Sequence, residues 1–181
     1  LIFGPAQQAG ACGPGQSVDP TQIPKDAVAG YSGDQLTNAA YIMNAASTLG
    51  LDRAAQIIGV MTAMGESSLR VVDHGDTAGP DSRGLFQQRD NGAWGSLADR
   101  MDPTISATNF FKALERVDGW EALPPTIAAH RVQGNADPYH YEKFYDAAAT
   151  VVGTLAGKGV TVCQSGYLVF PLNPGYQMTS N

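Results

Sequence analysis

Apolar residues recur along this chain with helical spacing in five stretches, separated by glycine, proline and small polar residues. Ser32-Gly33-Asp34-Gln35 has the spacing of a capping box. Leu36, Ala39, Ala40, Ile42, Met43 and Leu49 then share one face, which predicts a first helix running to Gly50. The next stretch differs in kind: positions 54, 55, 57, 58, 60, 61, 63 and 64 are all apolar and cover nearly every face. Such a segment predicts a buried helix, with Asp52 as its N-cap and Glu66 as the carboxylate on which the apolar run ends. Asp102-Pro103 predicts a third helix through Phe110, Phe111 and Leu114 to Gly119. Thr126 starts a short one ended by Gly134-Asn135, and Asp137-Pro138 opens a last one running through Val151 and Leu155 to Gly157. The expectation is a mainly α fold.

Where the periodicity fails, the composition says why. Residues 1–31 hold Pro5, Pro14, Pro20, Pro24 and several glycines, and are expected to form an extended arm over the domain. Residues 70–91 collect Asp73, His74, Gly75, Asp76, Gly79, Pro80, Asp81 and Gly84, the chemistry of turns, and loops this long in a compact domain are usually functional or disordered. Residues 158–181 contain two strand-like runs, Val160-Thr161-Val162 and Tyr167-Leu168-Val169-Phe170, then Pro171 and Pro174, and read as a linker. The organisation expected is therefore an arm at 1–31, one helical domain at 32–157 and a linker at 158–181.

The net charge of −6 argues against nucleic acid as a partner, because the phosphate-neutralising lysines and arginines are few. No run of about twenty apolar residues is present, so no membrane span is expected in the chain. A low charged fraction with abundant small polar residues fits a secreted or envelope-facing protein. Beginning at Leu1 rather than methionine, the chain is expected to have lost a leader, an anchor or an upstream segment, and to be a monomer or one module of a longer chain. Cys12 and Cys163 are the two cysteines, and a disulfide between them is the favoured reading. Closing so long a loop would stabilise the fold by about 5 kcal/mol on the chain-entropy account. Two free thiols in a reducing compartment are the alternative.

The chemistry concentrates at Glu66. A carboxylate at the mouth of a buried helix is poorly solvated in its charged form, which favours the neutral acid and suits a proton donor. Gly65-Glu66-Ser67-Ser68-Leu69, followed after the loop by Gly84-Leu85-Phe86-Gln87-Gln88, resembles the paired motifs of the lytic transglycosylase and goose-type lysozyme group, with Phe86 where that group carries methionine. The resemblance covers residues 34–156. It implies a lysozyme-like helical domain whose cleft binds the glycan strands of peptidoglycan, with Glu66 as general acid and base and no cofactor or metal. It also implies that Ser67, Gln87 and Gln88 lie near the sugar or orient Glu66. Ala128 to Gly134 falls where those families carry an Ala-x-x-Tyr-Asn-x-Gly-like turn, and Gln133 is a further candidate from that position, although Val132-Gln133 in place of Tyr-Asn is a departure that weakens the transfer. Tyr139 and Tyr141 are candidates for the cleft lining because aromatic faces and hydroxyls suit sugar rings, with packing at the start of the last helix as the alternative. Trp94 and Trp120 are assigned to core or cleft wall. The ending from Phe170 to Asn181 resembles the opening of lysostaphin-type metallopeptidase domains, which implies a further domain downstream.

Hydrolysis would need a second carboxylate opposite the acid, with Asp73, Asp76, Asp81 and Asp90 as candidates. The family's single-glutamate route, in which the sugar's own hydroxyl attacks and leaves an anhydro product, needs none and is preferred. Two other enzyme readings are weaker. Gly65-Glu66-Ser67-Ser68-Leu69 lacks the second glycine of a nucleophile elbow and follows a helix rather than a strand. His74, His130 and His140 have no metal-binding spacing. The alternative outside enzymology is a glycan-binding or scaffold module with a degenerate cleft.

Overall fold

The computed structural model describes residues 13–157, so Cys12, Cys163, both strand-like runs and the expected linker lie outside the described residues. Among the described residues six α-helices make a mainly helical architecture: α1 Asp34–Thr48, α2 Arg53–Ser67, α3 Leu97–Met101, α4 Pro103–Glu115, α5 Pro125–Gln133 and α6 Tyr145–Leu155. Helix α2 packs against α1, α4, α5 and α6. Its residues from Ala55 to Met64 are all buried, as expected for a helix with no polar face to give to water. Gly59 allows a close approach of α4: a β-carbon there would lie 2.5 Å from the Phe111 ring. Phe111 stands edge-on to Phe110, which stacks at 4.7 Å on Phe86. A continuous apolar core thus runs from the central helix to the loop that follows it. No helix among the described residues is long and apolar enough to cross a membrane.

The caps follow the sequence closely where they use aspartate. Asp52 accepts from the Ala55 N–H at 3.0 Å to start α2. Asp102 accepts from the Thr104 and Ile105 N–H groups, both at 2.8 Å, to start α4. At α1 the expected capping box is half formed and displaced by one residue. Gly33 occupies the N-cap, while the Gln35 side chain accepts from the Ser32 N–H at 3.2 Å.

Three other boundaries depart from the sequence reading. The third expected helix stops at Glu115 rather than Gly119, and a single 3-10 turn, Trp120–Ala122, follows and sinks Trp120 into the core. The short helix α3 was not expected, since five residues carry too little periodicity. It is held by its own capping box between Ser96 and Asp99. The last helix begins at Tyr145, not at Asp137-Pro138. Asp137 instead accepts from the Tyr139 N–H at 2.9 Å and closes a turn, a 3-10 turn spans Glu142–Phe144, and only then does α6 start. The delay lets Tyr141 turn inward.

Residues 13–31 lie against the amino-terminal half of the domain. Gly13 accepts from the Arg53 N–H at 3.2 Å, and Pro14 forms an isolated bridge with Asp52. Two side-chain amides then act as a substitute strand. Asn44 bonds both the N–H and the carbonyl of Val18 at 2.7 Å, and Gln56 bonds the carbonyl of Gln16 at 2.8 Å and its N–H at 3.4 Å.

Candidate functional site

Glu66 stands on the last turn of α2, half-buried, where the helix opens onto a cleft of about 740 Å³. The helix end is fixed by unusual backbone. Ser68 and Leu69 both take left-handed conformations, φ 54° and 60°, although neither is glycine. Such residues are strained and persist only where their surroundings hold them. Here two side chains of α1 do so: Gln35 donates to the Ser68 carbonyl and Asn38 to the Leu69 carbonyl, both at 2.8 Å. The side chain of Leu69 is fully buried.

The Gly84-Leu85-Phe86-Gln87 stretch is the turn of a small hairpin closed by mutual backbone bonds between Arg83 and Gln88, at 3.1 and 3.0 Å. Gly84 has φ 75°, and a β-carbon there would meet the Arg100 carbonyl at 1.9 Å, so the motif glycine is required twice over. Arg100, only 3% exposed, secures the hairpin from behind by donating to the Asp81 and Gln88 carbonyls at 2.9 and 3.3 Å. The Ser67 hydroxyl joins hairpin to helix, lying 2.8 Å from the Leu85 carbonyl and 3.1 Å from that of Ala63. The two sequence motifs are thus in direct contact.

The other wall comes from the end of α5 and the turn after it. Gln133 donates to the Phe86 carbonyl at 2.9 Å. Tyr141, fully buried, donates its hydroxyl to Oε1 of Glu66. Burial raises the pKa of that phenol far above its ordinary range. The Glu66 charge and hydrogen bond add to the effect, while a hydrogen bond from Gln133 opposes it. Tyr141 is therefore a hydroxyl donor at every physiological pH. Gly65 makes room for it, since a β-carbon there would fall 2.7 Å from the Tyr141 ring. His140 stands edge-on to the same ring, 4.9 Å between centroids.

Of the residues singled out from sequence, Glu66, Gln87 and Gln133 line one cleft, and Tyr141 lies directly behind Glu66. Ser67 is turned toward the Leu85 carbonyl. Gln88 is buried and donates to the Ser106 carbonyl at 3.1 Å, and Tyr139 is 62% exposed outside the residues that line the cleft. Trp120 is a core residue, and Trp94 is half-buried. Among the four loop aspartates, Asp76 lines the cleft, with Oδ1 accepting from the Gly79 N–H at 2.7 Å. Asp81 is held by Arg89 at 2.8 Å and by the Asp90 N–H, which bring its carboxyl down to about 2. Asp73 pairs with His74, whose hydrogen bond lowers its carboxyl, and Asp90 faces Arg100 at 3.5 Å.

His140, Asn135 and Arg89 also line the cleft, and no sequence motif pointed to them. Their common signal is position, in the loop after Glu66 or in the turn after α5. Among the described residues, no three histidine, cysteine, aspartate or glutamate side chains gather as a metal site would need. A scan of protein-family models returns no match to this chain, and a search of curated proteins returns none either.

Proposed function

We propose that the chain cleaves the glycan strands of peptidoglycan, with Glu66 as general acid and base in a lysozyme-like domain acting outside the cytoplasm. The observation that carries the reading is the pairing of Glu66 with Tyr141 at the open end of a buried helix, in a cleft whose other walls are the loop 72–82, Gln87 of the hairpin and the end of α5. The Tyr141 hydroxyl occupies Oε1, and among the described residues no group bonds Oε2. A proton on Oε2 is then available to the glycosidic oxygen as the bond to the anomeric carbon breaks and the sugar gains oxocarbenium character. The carboxylate so formed keeps the Tyr141 hydrogen bond, which stabilises its charge, and can accept the proton of the attacking nucleophile.

The preferred nucleophile is a hydroxyl of the same sugar, giving an anhydro end by lytic transglycosylation. Asp76 is the group that would serve a water molecule in the hydrolytic alternative. The test is clearing of purified cell walls by the full chain and by its Glu66→Gln variant. Clearing is expected for the native chain, with a loss of about 10²–10⁴-fold on substitution. Undiminished clearing by a folded Glu66→Gln protein would refute the mechanism. Tight binding to cell walls without clearing by the native chain would make it a glycan-binding module instead.

A further inference from the structure

The backbone that ends α2 is built in a costly way. Ser68 and Leu69 take left-handed angles one after the other, and glycine, which adopts them freely, stands at neither position. Their N–H groups close the helix on the Met64 and Ala63 carbonyls at 3.0 and 3.2 Å. Their carbonyls are held from α1. Gln35 and Asn38, one helical turn apart and at most 9% exposed, donate to the Ser68 and Leu69 carbonyls at 2.8 Å. A carbonyl can only accept, so each amide presents its NH₂ to the turn. Gln35 uses its other end as well, with Oε1 accepting from the Ser32 N–H at 3.2 Å ahead of α1. It braces the start of one helix against the end of the other.

Glu66 stands two residues before this turn. With ordinary helical angles at Ser68 and Leu69, α2 would run on, and Glu66 would lie on the flank of a longer helix instead of at its open end. The fully buried Leu69 side chain would also rotate out of its place in the core. We infer that Gln35 and Asn38 are positioning residues: they hold a left-handed exit that two side-chain-bearing residues resist, and so fix where α2 ends and where the Glu66 carboxylate meets the Tyr141 hydroxyl. Neither amide is among the residues that line the cleft, so both act through the backbone. The catalytic consequence rests on the proposed role of Glu66. The hold on the turn does not, so the two can fail separately.

The experiment uses the full 181-residue chain. A positive φ brings a residue's own Hα close to its amide proton, so proton NMR reads the turn directly, as strong intraresidue cross-peaks at Ser68 and Leu69. Gln35→Met keeps the side-chain length and removes one donor, and Asn38→Ala removes the other. The Ser68 cross-peak is expected to weaken in the first variant and the Leu69 cross-peak in the second. In turnover of cell-wall fragments each variant is expected to lower kcat by about tenfold with KM unchanged, the loss of one hydrogen bond. Ser68→Gly supplies the rescue. Because glycine takes left-handed angles unaided, Gln35→Met should cost less than about twofold when added to Ser68→Gly. Equal costs with and without Ser68→Gly overturn the inference, since Gln35 would then act on α1 alone. So does a rise in KM at constant kcat, or a pair of cross-peaks unchanged in both variants. Should Gln35→Met fail to fold, Asn38→Ala carries the cross-peak and the kcat measurements. If the native chain cleaves nothing, the functional proposal falls, and the cross-peaks still decide whether the two amides hold the turn.

Discussion

A buried phenol against a half-buried carboxylate is an arrangement that needs both partners. Tyr141→Phe deletes the donor to Oε1 and leaves the ring packing intact, so the fold should survive while, in the proposed mechanism, the carboxylate formed after proton transfer loses a charge-assisted bond of about 1.5–3 kcal/mol. The expected outcome is a drop of about 10–100-fold in kcat for cell-wall fragments with an unchanged circular dichroism spectrum. Gly65→Ala tests the same contact from the helix side. Its methyl would overlap the Tyr141 ring, and thermal melting should show a destabilisation of about 1–3 kcal/mol together with the catalytic loss. The sign of the pH effect at Asp81 also follows from its surroundings. Its folded carboxyl is depressed to about 2, so its pairing with Arg89 supports the loop above the ordinary aspartate range and is lost as pH falls through 2. Asp81→Asn should remove that acid-dependent step, read as faster amide exchange at Asp90 already at neutral pH. Glu66 itself was legible in the chain because the apolar run ends on it. Its partnership with Tyr141 was not, because 75 residues separate them and no local pattern encodes a contact made by tertiary packing.

Helices announce themselves through their caps. Asp52 and Asp102 mark their helices because a carboxylate accepting two or three residues ahead is a local event, written within four residues of sequence. Asp137-Pro138 has the same signature and opens a turn instead, since the burial of Tyr141 against Gly65 outweighs the local preference for helix. The strapping of residues 13–18 was legible only as an absence of periodicity. Its fasteners, Asn44 and Gln56, look like ordinary polar positions on two helices, yet each bonds both the N–H and the carbonyl of one arm residue. Asn44→Ala removes two hydrogen bonds to Val18, and urea unfolding should report a loss of about 1–3 kcal/mol. The loss should be much smaller in a chain starting at Gly33, where the arm is already gone. Equal losses in both chains would mean that Asn44 acts within α1 and not through the arm.

For the molecule as a whole, the proposed glycan cleavage allows two nucleophiles, and the placement of the loop aspartates bears on the choice. Sequence could offer Asp73, Asp76, Asp81 and Asp90 only as equals, because a loop without periodicity gives no face to assign them to. In the folded chain three are otherwise engaged: Asp73 with His74, Asp81 with Arg89 and the Asp90 backbone, Asp90 with Arg100. Asp76 lines the cleft, but one of its oxygens already accepts from Gly79 within a tight turn where a β-carbon on Gly75 would strike the Gly79 carbonyl. A base for water must stand across the sugar from the acid with room for that water between them. A single-glutamate reaction has no such requirement, and Glu66 is held by the Tyr141 hydroxyl at the cleft. The digest is therefore expected to carry anhydro ends, each lighter by one water than a hydrolytic reducing end when the fragments are weighed by mass spectrometry. Asp76→Asn should leave the rate and the product unchanged. Reducing ends throughout an early digest, lost on replacing Asp76, would instead assign the cleft to a hydrolase with Asp76 as its base.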